Sequence, residues 1–222
     1  IYPISADSTL PFEQHRDLFY LTGVDLEETI LVLCPDAKDP KQREMVFVLE
    51  TNAHIAVWEG HKLTKSEATA VTGIENVQWT ADFEASFLEL TKQVDNIYIN
   101  TNEHYRAKVE TQTREDRFIA WCKEQFPKKN YEKSNFILQG LRGIKDPEEI
   151  AHIQQACDIT KKGFKRVLGF VTPGVWEFEI EAEFAHEFLR NRSKGFAYTP
   201  IIASGANSNV LHYIENSQQC QA

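Results

Sequence analysis

The feature that most constrains this chain is the stretch 146–168, DPEEIAHIQQACDITKKGFKRVL. Asp146 can accept orphan amides at a helix start, Pro147 suits the first helical position, and Glu149 sits three residues past the cap, where it can reach back to the cap's own amide. Glu148 and Glu149 also match the positive end of a helix dipole. Ile150, Ile153, Cys157, Phe164, Val167 and Leu168 then form an apolar stripe, with Gly163 as a tolerated weak point. The pattern predicts one long amphipathic helix ending near residue 168. VTPGV at 171–175 reads as a turn, and a second amphipathic helix is predicted over 177–190 with Ile180, Phe184 and Phe188 on one face.

The first half alternates differently. TILVLCP at 29–35 and REMVFVL at 43–49 read as strands separated by the turn signal AKDPK, hence a hairpin or adjacent strands. HIAVWEG at 54–60 fits a strand edge or a helix start, FEASFLELTKQV at 83–94 a helix, NIYIN at 96–100 a short strand and REDRFIAWCKEQF at 114–126 a helix. Together these elements predict a compact α/β domain. A polar, charged boundary follows near 127–145, and the last apolar run, at 200–203, reads as a strand entering a Gly/Asn/Ser turn.

Composition narrows the function classes. Of 222 residues, 42% are apolar, including 14 Phe and 4 Trp, so the chain can form a core and is not of the disordered class. The net charge of -9, from 33 acids against 24 bases, disfavours a nucleic-acid footprint, which wants a basic face. Apolar runs such as ILVLC at 30–34 fall far short of the roughly 18 residues of a membrane span. Cys34, Cys122, Cys157 and Cys220 contain no CxxC pair and are expected as reduced thiols of a cytoplasmic protein. No secretory leader is visible, but the chain opens IYPIS without methionine, so this decides nothing.

Several motifs fail on inspection. HEFLR at 186–190 lacks the second histidine that puts two imidazoles on one metal, so His186 and Glu187 read as surface residues of the helix. NRS at 191–193 is a chance glycosylation triplet, and no G-x-G-x-x-G, P-loop or G-x-S-x-G elbow is present around the glycines or Ser204. His212 remains, in PIIASGANSNVLHYIEN at 200–216. A lone histidine is more often structural or merely exposed. Its setting after a turn rich in small polar residues makes it the candidate for hydrogen bonding or proton exchange with a substrate carbonyl.

Four segments, in order, resemble one family. LFYLTG at 18–23, preceded by Arg16-Asp17, resembles the N-terminal domain of aminopeptidase P and its prolidase and creatinase relatives, and VWEG at 57–60 resembles a tryptophan-bearing segment of that domain. LRGIKDPEEIAHIQQACDIT at 141–160 resembles the first helix of the family's pita-bread catalytic domain. PGVWEFEIEAEF at 173–184, followed by YTPIIASGANSNVLHY at 198–213, resembles the next helix and the strand before the metal site.

The resemblance implies a two-domain α/β chain, with a creatinase-type N-terminal domain at 1–130 and the incomplete first part of an M24-type pita-bread domain at 140–222. It implies a metal-dependent aminopeptidase that removes the first residue of peptides with proline second. The alternatives are a prolidase cleaving Xaa-Pro dipeptides and a catalytically inactive protein-binding module. His212 would be a non-liganding catalytic residue, Trp58 would wall the substrate pocket and Asp17 would reach its rim; ordinary packing for Trp58 and a turn or cap role for Asp17 are the competing readings. The family uses two divalent ions, usually Mn2+, held by two aspartates, a histidine and two glutamates downstream of the LHY segment. No metal ligand is therefore assigned here, and residues 1–222 alone are expected to bind no metal and to be inactive. A peptide substrate and a homodimer or homotetramer are the implied partners, with no nucleic acid and no membrane. One expectation rests on the residues alone: Asp146→Ala should cost about 1 kcal/mol through loss of the helix cap, read as a lower midpoint in urea denaturation; an unchanged midpoint refutes the cap.

Overall fold

Met45, Val46, Phe47 and Val48 are all buried, none more than 2% exposed, so the strand carrying them has no solvent face. Such a strand must be central and covered on both sides. The computed structural model describes residues 3–5, 8–9, 12–101 and 112–221. The chain divides into two units, Ile1–Leu141 and Arg142–Ala222.

In the first unit, β1 (Pro3–Ser5) and β2 (Ser8–Thr9) pair antiparallel. Helix α1 (Arg16–Thr22) ends at Gly23, whose φ of 68° is the left-handed cap that glycine tolerates. β3 (Ile30–Leu33) and β4 (Glu44–Val48) then form the expected antiparallel neighbours, with Ile30 opposite Phe47. The ambiguous stretch 54–60 lies in a helix, α2 (Ala53–Glu59), because the Asn52 side chain accepts from the amides of His54 and Ile55. Helix α3 (Lys65–Thr72), begun by a Thr64–Glu67 capping box, leads to β5 (Val77–Trp79), parallel to β4. The sheet order β3-β4-β5 makes β4 central.

Alternation along β4 feeds two cores. Val46 and Val48 pack with Ala68, Ile74 and Val77. Met45 and Phe47 face the other way, with Cys34, Ala37 and Leu90 of α4 (Phe83–Thr91). A third cluster joins Phe87, Cys122 of α5 (Arg114–Gln125), and Ile97 and Ile99 of β6 (Asn96–Ile99). The polar stretch 127–145 is more than a connection. It contains β7 (Asn130–Lys133), parallel to β6, and the whole of α6 (Asn135–Gly143). The Tyr131 hydroxyl donates to the carbonyls of Cys122 and Phe126, which ties β7 to the end of α5. All four cysteines are free thiols.

In the second unit, α7 (Pro147–Phe170) starts with the full capping box: the Asp146 side chain accepts from the amides of Glu148 and Glu149, and Glu149 accepts from the amide of Asp146 at 3.0 Å. Helix α8 (Glu177–Arg190) lies against its second half. Only part of the apolar stripe read from spacing meets α8: the Phe164 ring packs edge-on to Phe184 with centroids 5.1 Å apart, whereas Ile150, Ile153 and Leu168 are each more than half exposed. The two helices meet at buried Gly163, where an added Cβ would lie 2.8 Å from Phe184 and 2.9 Å from Phe188. Arg166 pairs with Glu183 across the same contact. The smallest side chain, which allows the closest approach, selects the face. The strand expected at 200–203 also does not form, since no neighbouring strand offers it a ladder among the described residues. Side chains satisfy its backbone instead, as set out below. Among the described residues no helix is long and apolar enough to cross a membrane.

Gly163 is thus a packing requirement rather than a weak point. Gly163→Ala should destabilise by about 1–3 kcal/mol through overpacking, whereas Gly169→Ala, with open space around its Cβ, should stabilise by about 0.5–1 kcal/mol. Urea denaturation of the two variants tests this; equal midpoints refute the close contact.

Candidate functional site

His212 lies in an exposed turn between a 3-10 segment, Gly205–Asn209, and the buried Tyr213. The surroundings are built from the start of α8. Gly174, at φ 93°, turns the chain so that residues 174–177 run antiparallel to 218–220. The amide of Gly174 donates to Cys220 O at 2.7 Å, that of Cys220 to Val175 O at 2.8 Å, and that of Glu177 to Gln218 O at 2.9 Å.

Glu177 then does more than begin the helix. Its side chain is fully buried, and four donors converge on it. Oε1 accepts from the amide of Ser204 at 2.7 Å and its hydroxyl at 2.9 Å. Oε2 accepts from the Tyr213 hydroxyl at 2.6 Å and the amide of Gln218 at 3.0 Å. Burial alone pushes this carboxyl upward, but the bonds from Tyr213, Gln218 and Ser204 outweigh it and hold the pKa near about 2. One turn further along α8, Glu181 accepts from the Nδ2 of Asn216 at 2.8 Å. Asn216 is buried with a φ of 45°, a left-handed conformation that asparagine tolerates better than most side chains. Its Oδ1 accepts from the amide of Ile202 at 2.9 Å, and its Nδ2 also donates to Pro200 O at 3.3 Å. Those bonds replace the missing strand ladder.

The other candidates are placed as follows. Asp17 is half-buried in the first turn of α1, its amide 3.3 Å from Nδ1 of His15, whose ring also meets Nδ2 of Asn100 at 3.1 Å. Trp58 lies on α2, and its side chain falls outside the described residues. Asp17 and Trp58 belong to the first unit and His212 to the second. Glu187 is more enclosed than a surface reading implies, accepting from Asn191 at 2.9 Å and lying 3.8 Å from Arg166, while His186 is exposed. Ser204 is committed to Glu177 and has no histidine partner among the described residues. Among the described residues no group of three or more His, Cys, Asp or Glu could hold a metal ion. Sequence reading took Glu177 only as a helix start and missed Asn216, because their partners lie 14 to 41 residues away.

The acid response of this unit follows from Glu177. Its folded pKa lies below the 4.5 of the unpaired group, so its contribution is present above pH 4.5 and is lost as pH falls toward about 2. Glu177→Gln should flatten the curve there when stability to urea is followed against pH; parallel curves refute the ionised buried carboxylate.

Two family models match the chain: the aminopeptidase P N-terminal domain over residues 1–98, and metallopeptidase family M24 over 151–222. Xaa-Pro aminopeptidase of Escherichia coli K12 is 27% identical over 214 residues, covering 96% of this chain and 48% of the relative, and human Xaa-Pro aminopeptidase 3 is 25% identical, covering 98% and 43%. A Bacillus anthracis structure described as an aminopeptidase P superposes with a TM-score of 0.88 at 29% identity, over 98% of this chain and 52% of that one. An Escherichia coli aminopeptidase P variant solved with substrate gives 0.83 at 25% identity, over 99% and 50%. The chain thus spans about half the length of the relatives it matches. With an aminopeptidase P N-terminal domain followed by M24 sequence, and with these relatives matched over nearly its whole length, the chain belongs to the Xaa-Pro aminopeptidase family of pita-bread metallopeptidases.

Proposed function

We propose that the whole protein is a metal-dependent aminopeptidase that releases the first residue of peptides with proline in second place, and that His212 is a catalytic residue that does not ligate metal. The observation that carries this reading is the exposed imidazole on a loop whose base is fixed by a buried carboxylate. A histidine so held can offer an N–H to the scissile carbonyl and to the negative charge that develops on its oxygen. Among the described residues no cluster of His, Cys, Asp or Glu would hold the two divalent ions, taken as manganese from the family resemblance. Their ligands belong to other parts of the whole protein, and residues 1–222 alone are inactive in this reading.

In the same proposal Trp58 walls the substrate pocket and Asp17 reaches its rim. The protein works in the cytoplasm as a homodimer or homotetramer on peptide substrates. The net charge of -9 is in keeping with a partner other than nucleic acid.

The test uses the natural full-length protein loaded with Mn2+. His212→Ala should lower kcat on an Xaa-Pro-Xaa tripeptide about 100-fold or more, the scale of one lost oxyanion donor, while bound manganese stays at the wild-type level. Manganese lost in step with activity makes the ring a ligand instead. A preference for Xaa-Pro dipeptides over tripeptides replaces aminopeptidase P specificity with prolidase specificity, and no hydrolysis of either leaves a binding module.

A further inference from the structure

We infer that Glu177 is the positioning residue for His212: its carboxylate closes the 204–213 loop at both ends and so fixes where the imidazole is presented. The inference rests on the reading of His212 given above. Ser204 opens this loop and Tyr213 ends it, one residue after His212, and both bind the same side chain. One carboxylate oxygen holds the entry through two bonds and the other holds the exit. Between these two anchors the described hydrogen bonds are local: the amide of Asn207 donates to Ser204 O at 3.1 Å, that of Val210 to Asn207 O at 2.9 Å, and Ser208 Oγ to Ala203 O at 3.2 Å. The loop is therefore stapled internally, and among the described residues every hydrogen bond from 204–213 to α8 ends on Glu177.

The neighbouring Asn216–Glu181 pair does a different job. Its bonds reach Pro200 and Ile202, which lie before the loop, so it steadies the approach and leaves the aim of His212 to Glu177. Stability alone is a poor reason for a buried carboxylate with no cation partner among the described residues, since taking a charge out of water costs free energy that apolar packing avoids. Fixing a geometry is a better one. Glutamine in its place keeps the size, but it presents an amide NH2 where two donors already point.

Two measurements on the natural full-length enzyme decide the matter. The first is a double-mutant cycle on kcat with Mn2+ bound. Glu177→Gln alone should lower kcat about tenfold or more, and in a His212→Ala background it should cost less than about twofold, because a residue acting through the histidine has nothing left to aim. Additive losses overturn the positioning role. A wild-type kcat in His212→Ala overturns the reading of the histidine itself and the inference with it, so the two failures are distinguishable. The second needs no metal and no turnover: amide exchange followed by mass spectrometry. Glu177→Gln should speed exchange across 204–213 at least about tenfold while α7 and the later turns of α8 exchange as in wild type. Unchanged exchange in the loop, or equal acceleration throughout the unit, overturns the inference. Should Glu177→Gln not fold, Tyr213→Phe removes a single donor, keeps the buried ring, and is expected to give smaller effects of the same pattern in both measurements.

Discussion

Four donors around one buried anion, Glu177, tie three distant segments of the second unit to the start of α8. Ser204, Tyr213 and Gln218 sit 27, 36 and 41 residues from it in the chain. Without the carboxylate, two buried or half-buried amides and two hydroxyls lose their acceptor together, and each unmet polar group costs more than the bond contributes when made. The charge stays ionised because the donors are backbone and side-chain groups already held at the right distance, by the 174–177 and 218–220 pairing on one side and by the internal turns of the loop on the other. Asn216 repeats the device one helical turn on, with a left-handed backbone set by the polar contacts it makes.

The first unit is organised by other physics. Its ladder runs β3-β4-β5, and alternation along β4 sends side chains into apolar layers on both faces. The aromatic rings of Phe83, Phe87, Phe118 and Trp121 extend that packing toward β6 and α5, with centroids 5.3 to 6.2 Å apart. Polar pairs such as Glu27 with Lys62 lie at its margins. One unit is thus an ordinary layered core, and the other is a helix pair with a polar clasp that carries the candidate histidine.

What could be read from the sequence follows that division. The cap at Asp146 and Pro147 was legible because its partners lie within three residues, and the buried strand was legible because MVFV has no polar interruption. The stretch 54–60 was ambiguous by its apolar pattern, although Asn52 just before it held the deciding signal. The contact face of α7 was read only in part: counting apolar residues finds Phe164, which meets Phe184, but also Ile150, which is exposed, and it passes over Gly163, where the helices come closest. The strand expected at 200–203 failed for want of a neighbour, which no local pattern reveals. His212 was singled out as a candidate by resemblance and by the company of its turn, but the Glu177 carboxylate that binds Ser204 and Tyr213 was not, since its donors come from distant segments.

Helix α8 is shared by two of these features. Phe184 and Phe188 rest on Gly163, and two turns nearer the start, about 10 Å along the same axis, Glu177 holds the loop and Glu181 holds Asn216. A helix of this length moves largely as one body. The spacing set at a glycine on α7 therefore bears on the pose of a carboxylate it never touches and, in the positioning role proposed for that carboxylate, on the orientation of an exposed ring. In that proposal, a demand on the histidine's aim is also a demand on a residue without a side chain in a different helix.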